Sequence, residues 1–95
     1  MEDSIRIVLA KLAEKQFQKT PIFIQRSLRV WMKSVLEIGM NETRKISGYH
    51  DEPLKGNRTG QRSIRLSRSY RAIYEEQLDG SITLIVIIEV NKHDY

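Results

Sequence analysis

Apolar and polar positions alternate along the chain in a way that predicts an order of β-α-α-β-β-β. Ile5-Arg6-Ile7-Val8-Leu9 is short and β-branched and reads as a first strand. From Ala10 to Lys19 the residues are helix formers, with Leu9, Leu12, Ala13, Gln16 and Phe17 falling near one face. Thr20-Pro21 punctuates the chain, with Thr20 expected as helix N-cap and Pro21 at the first helical position. Ile24, Leu28, Trp31, Val35 and Ile38 follow the three-four spacing of an amphipathic helix from Ile22 to Ile38, ended by Gly39. The two helices would form a hairpin.

Asn41 to Gly60 is rich in Gly, Pro, Asn and charge and predicts a long loop with little regular structure, of the kind that usually carries function. Arg62 to Leu66 then alternates, sending Ile64 and Leu66 one way and Ser63, Arg65 and Ser67 the other. Tyr70 to Gln77 predicts another strand, and Leu78-Asp79-Gly80-Ser81 a hairpin turn. Ile82 to Val90 is almost continuously apolar, which predicts a central strand covered on both faces. The expected architecture is α+β: one small, mainly antiparallel sheet with an N-terminal helical hairpin on one face.

Composition narrows the class. Ninety-five residues, 40% of them hydrophobic, suffice for one modest core, so residues 1–95 are read as a single domain. The absence of cysteine excludes disulfides, thiolate metal sites and a catalytic thiol. No apolar run approaches the ~20 residues that span a bilayer, and Met1-Glu2-Asp3-Ser4 lacks the basic start of a signal peptide. A cytoplasmic protein is the expectation. The net charge is +4, but its distribution is uneven. Between Arg44 and Arg71 eight basic residues face two acidic ones, and the rest of the chain is net acidic. An Arg-rich cluster of this kind suits a phosphate-bearing or strongly acidic partner; a solvated surface gives the same count.

Within this region the pattern assembles candidate chemistry. Arg65 should project from the sheet face that the helices leave open, with Arg71 at the start of the next strand. Glu52 and Lys55 lie in the loop leading into the sheet, and His93 and Tyr95 follow the last strand. A carboxylate and an imidazole can move protons, and guanidinium groups can stabilise charge on phosphorus. Metal-free RNA cleavage needs those functions alone. Each residue also has a plainer account: Glu52 paired with Lys55 or Arg58, exposed strand arginines, a surface His93, tyrosines closing the core. No spacing of His50, Asp51, His93 and Asp94 matches a metal motif. The residues by themselves support a phosphate-binding module.

Gly48-Tyr49-His50-Asp51-Glu52-Pro53-Leu54-Lys55-Gly56-Asn57-Arg58, then Gly60-Gln61-Arg62-Ser63-Ile64-Arg65-Leu66, Tyr70-Arg71-Ala72-Ile73-Tyr74 and Lys92-His93-Asp94-Tyr95 resemble the RelE/ParE toxin superfamily. The closest pattern is that of the RelE, YoeB and HigB-type mRNA interferases. The resemblance implies the toxin of a type II toxin–antitoxin pair that cuts mRNA in the ribosomal A site, with no cofactor. It implies Glu52 as general base, Arg65 and Arg71 on the scissile phosphate, His93 as general acid and Tyr95 as a substrate-positioning group. Asp94 separates His93 from Tyr95, which are adjacent in YoeB-like chains. Lys55, Arg58, Arg62 and Arg68 would bind RNA or ribosome. The implied partners are mRNA, the ribosome and an acidic, partly disordered antitoxin, with the free toxin a monomer or weak dimer. A ParE-like gyrase inhibitor and a non-catalytic RNA- or ribosome-binding module are the alternatives.

Overall fold

The computed structural model describes residues 4–92. Ser4–Leu9 (β1) leads into the helices Lys11–Gln18 (α1), Ile22–Ile38 (α2) and Met40–Arg44 (α3). Glu52–Pro53 (β2), Gln61–Arg65 (β3), Tyr70–Asp79 (β4) and Ile82–Lys92 (β5) complete a five-stranded sheet in the order β1-β5-β4-β3-β2. Only β1 and β5 are parallel, in a register from Ser4↔Ile82 to Leu9↔Ile87; every other pair is antiparallel. The predicted α+β layout stands, with a short helix and a two-residue edge strand added to it.

The helices cover one face. Ala13 of α1 and Ile24, Leu28, Trp31 and Val35 of α2 are buried against Ile64, Ala72, Tyr74, Ile85, Ile87 and Val90 of the sheet. Trp31 and Tyr74 stack at 5.1 Å between ring centroids with the planes tilted by 51°, a favoured aromatic arrangement. A bulge between Ile73 and Tyr74 shifts the β4–β5 register. Nearby, the Val90 amide donates to Gln16 Oε1 at 2.8 Å, so α1 satisfies a sheet donor from the side.

Several local expectations are corrected. Thr20 does not cap α2: its hydroxyl donates to Phe17 O at 2.6 Å and so closes the end of α1. Pro21 takes the N-cap position of α2 with ψ of 153°, outside the helix proper. The turn is tied to α2 by Gln25 Nε2, which donates to Phe17 O and Thr20 O. Ile38, expected on the apolar stripe, is 52% exposed, because Gly39 (φ 87°) turns the chain away before the last helical turn reaches the sheet. The Asn41–Gly60 stretch is not structureless. It holds the end of α3, two single 3-10 turns at Ser47–Tyr49 and Gly56–Arg58, and β2. Thr43, fully buried, is bonded to Ser34 across 2.8 Å and fixes α3 on α2. Finally, β5 is an interior strand, between β1 and β4, but among the described residues the helices cover one side of it: Ile85, Ile87 and Val90 face them, and the intervening residues are half-buried.

Candidate active site

The open face of the sheet carries the charge. Strand alternation sends Ser63 and Arg65 of β3 to that face, and Arg62 and Ile64 toward the helices. Arg65 is opposite Arg71, which is in turn opposite Asn91 of β5. Glu52 is opposite Ser63, on the same face as this row. Like charges placed directly across a strand pair destabilise a sheet, so the Arg65–Arg71 pair is a local cost that a bound anion would relieve.

Glu52, Ser63, Arg65 and Arg71 line a cleft of about 200 Å³ with His50, Ser67, Arg68 and Tyr70. The β3–β4 connection forms its far wall: Ser67 Oγ accepts from the Ser69 and Tyr70 amides at 3.2 Å each, and Ser27 Oγ of α2 holds Leu66 O at 2.9 Å. Arg65 Nε donates to Ser67 O at 3.3 Å, and its Nη1 is 3.5 Å from His50 Nε2. Arg71 Nε is buried and has no hydrogen-bond partner among the described residues. Such a donor costs free energy while unpaired, and the Arg71 side chain that carries it lines a cleft rich in positive charge. The described residues contain no cluster of three or more metal-ligating side chains.

Beneath the cleft floor, on the helix side of the sheet edge, is an ion-pair network. The Asp51 carboxylate, 1% exposed, accepts from Arg62 Nε and from the Tyr74 hydroxyl, each at 2.6 Å. Arg44 Nε is 3.9 Å from the same carboxylate, and its Nη2 donates to Tyr74 Oη at 3.3 Å and Glu76 Oε1 at 3.2 Å. Burial, reinforced by the bond to Asp51, pushes the Tyr74 phenol above its ordinary range, so it remains a neutral donor. Burial also raises Tyr49.

The cleft thus brings together Glu52, Arg65, Arg68 and Arg71 from the sequence candidates. It does not include Lys55, Arg58 or Arg62. Arg62 turns to the helix side and is held by Asp51. Arg58 donates to Gln61 Oε1 at 2.8 Å and is ion-paired with Glu89. Lys55 is exposed at the start of the Gly56–Arg58 turn. His93 and Tyr95 lie outside the described residues. Sequence reasoning gave no role to His50, Ser63, Ser67 or Tyr70 as lining groups, or to Asp51 as the hub beneath them. Alternation in β3 is enough to find Ser63 and Ser67. His50 enters the cleft through a left-handed backbone, φ 46°, which no local pattern announces.

No family model and no curated protein sequence matches the chain. Solved structures do match in shape. A YoeB/ParE toxin from Agrobacterium tumefaciens aligns at a TM-score of 0.73 and 18% identity, over 94% of this chain and 99% of that one. The E. coli DinJ-YafQ toxin-antitoxin complex aligns at 0.67 and 19%, over 95% and 93%. The heterotetrameric YoeB-YefM toxin-antitoxin complex from Staphylococcus aureus aligns at 0.66 and 22%, over 96% and 98%. With nearly the whole of each chain superposed, this protein has the fold of the RelE/YoeB-type toxins.

Proposed function

We propose that this protein is the toxin of a type II toxin–antitoxin pair and acts in the cytoplasm as a ribosome-dependent, metal-independent mRNA endoribonuclease. The observation that carries the reading is Arg71 set opposite Arg65 across two strands, in a cleft whose rim holds the Glu52 carboxylate. A phosphate is the ligand that both guanidinium groups can hold together, which relieves their repulsion.

In the reaction, Glu52 removes the proton from a ribose 2′-hydroxyl, and the 2′-oxygen attacks the adjacent phosphorus. Arg65 and Arg71 hold the non-bridging oxygens as negative charge grows on them. The bond to the 5′-oxygen breaks, leaving a 2′,3′-cyclic phosphate and a 5′-hydroxyl. His93 donates the proton to the departing oxygen, a role that rests on the family resemblance. The ribosome supplies the alignment of the 2′-oxygen with phosphorus, which an open cleft of this size does not impose. Two of the similar structures are toxin–antitoxin complexes, which supports an acidic antitoxin chain neutralising the basic face.

Primer extension on a defined mRNA in a purified translation system tests the proposal, with intact protein and Arg71→Ala side by side and a lane without ribosomes. Cleavage within the A-site codon is expected from the intact protein alone, and only with ribosomes. Intact transcripts together with gyrase-dependent DNA breakage would replace this reading with that of a gyrase inhibitor.

A further inference from the structure

We infer that Asp51 is a positioning residue for the cleavage reaction, holding Glu52 in place from the opposite side of the sheet; this rests on the ribonuclease reading above. The strand that carries Glu52 cannot fix it unaided. β2 is two residues long, its Pro53 has no amide proton to donate, and beyond the pairs Glu52↔Ser63 and Pro53↔Arg62 it is tied to β3 by one backbone bond, from the Leu54 amide to Gln61 O at 2.9 Å. On one side the chain leaves through left-handed His50, and on the other it reaches the positive-φ Gly56 within three residues of Pro53.

Asp51 supplies what β2 lacks. Its buried carboxylate is gripped by Arg62 of β3 and Tyr74 of β4, both at 2.6 Å, with Arg44 of α3 behind them. Consecutive residues of extended chain point to opposite faces, so anchoring Asp51 on the helix side aims Glu52 at the cleft. The anchor reaches two sheet strands and a helix, whereas the residue it aims is exposed. Arg62 serves the reaction through Asp51 and not through RNA.

A double-mutant cycle separates positioning from general stability. Single-turnover cleavage of ribosome-bound mRNA is measured for the intact protein, Asp51→Asn, Glu52→Gln and the double variant, with thermal melts of each. Asp51→Asn should lower the maximal rate by about 10- to 100-fold, the scale of a misplacement near 1 Å. The protein concentration giving half-maximal rate should change less than about twofold. Added to Glu52→Gln, Asp51→Asn should cost no further rate. An equal loss in both backgrounds, or full activity of Asp51→Asn, overturns the positioning role while the ribonuclease reading stands. Full activity of Glu52→Gln removes the group to be positioned and overturns it as well. An intact protein that cuts nothing overturns the ribonuclease reading and the positioning role together. If Asp51→Asn does not fold, Arg62→Gln breaks the same tie from the partner's side and takes its place in the cycle, with the same expected pattern.

Discussion

Arg65 and Arg71 face each other across β3 and β4, and neither has a carboxylate partner among the described residues, an arrangement that works against the fold and favours an anionic ligand. Arg71→Gln keeps most of the side chain's stem and removes the repulsion. It should leave the protein as stable as before or more so, by about 0.2–1 kcal/mol, while cleavage falls on the order of 10²-fold or more. Urea denaturation beside the cleavage assay checks both halves; a loss of stability above that range would make Arg71 a structural residue. Tyr74 answers to pH. Its phenol is pushed above the usual value of 10 in the fold, so above about pH 10 the unfolded chain gives up a proton that the folded chain keeps. The corresponding stability is complete below pH 10 and declines above it. In Tyr74→Phe the alkaline decline should shrink. At neutral pH the same variant should lose about 1–3 kcal/mol, because the Asp51 carboxylate loses a donor. Melting temperatures from pH 7 to 11 test both.

Periodicity explains which elements could be read from the sequence. α1, α2, β4 and β5 each repeat their pattern long enough for one or two exceptions not to matter, and Ile38 is such an exception. α3 and β2 have five and two residues. Neither shows a period, and both exist through contacts distant in sequence: Thr43 with Ser34, Asp51 with Arg62 and Tyr74. Turn chemistry was readable where one residue decides it. Gly80 alone of the Gly80–Ser81 pair takes a positive φ, 63°, the signature of a type II′ hairpin. Gly80→Ala should cost roughly 1–2 kcal/mol and leave cleavage at saturation unchanged, because β4 places this turn at the end away from the cleft. A comparable fall in the cleavage rate would show that the two ends of the sheet communicate.

Charge counted along the chain overstates the field the molecule presents. Of the eight basic residues between Arg44 and Arg71, Arg44, Lys45, Arg58 and Arg62 have carboxylate partners. Lys55, Arg65, Arg68 and Arg71 have none among the described residues, and three of these four line the cleft. A single-stranded RNA that replaces its counterions at four cations should bind with a log–log salt slope of about −3, against about −6 for all eight. Fluorescence anisotropy with Glu52→Gln between 50 and 200 mM KCl distinguishes the two. Arg68→Gln should flatten the slope by about 0.7. The sequence therefore showed where the charge is concentrated, and the pairing that silences half of it needed the fold.

The pairing of Ser4–Leu9 with Ile82–Lys92 also governs when the molecule becomes itself. The first strand to leave a ribosome has to wait for the fifth, and β4, at the middle of the sheet, gains its longest partner at the same moment. Contacts so far apart in sequence are the slow part of folding. During its own translation the chain therefore lacks a finished sheet, although Arg65 and Arg71 are already made. The cleft is therefore a late product of folding, absent until the fifth strand is in place.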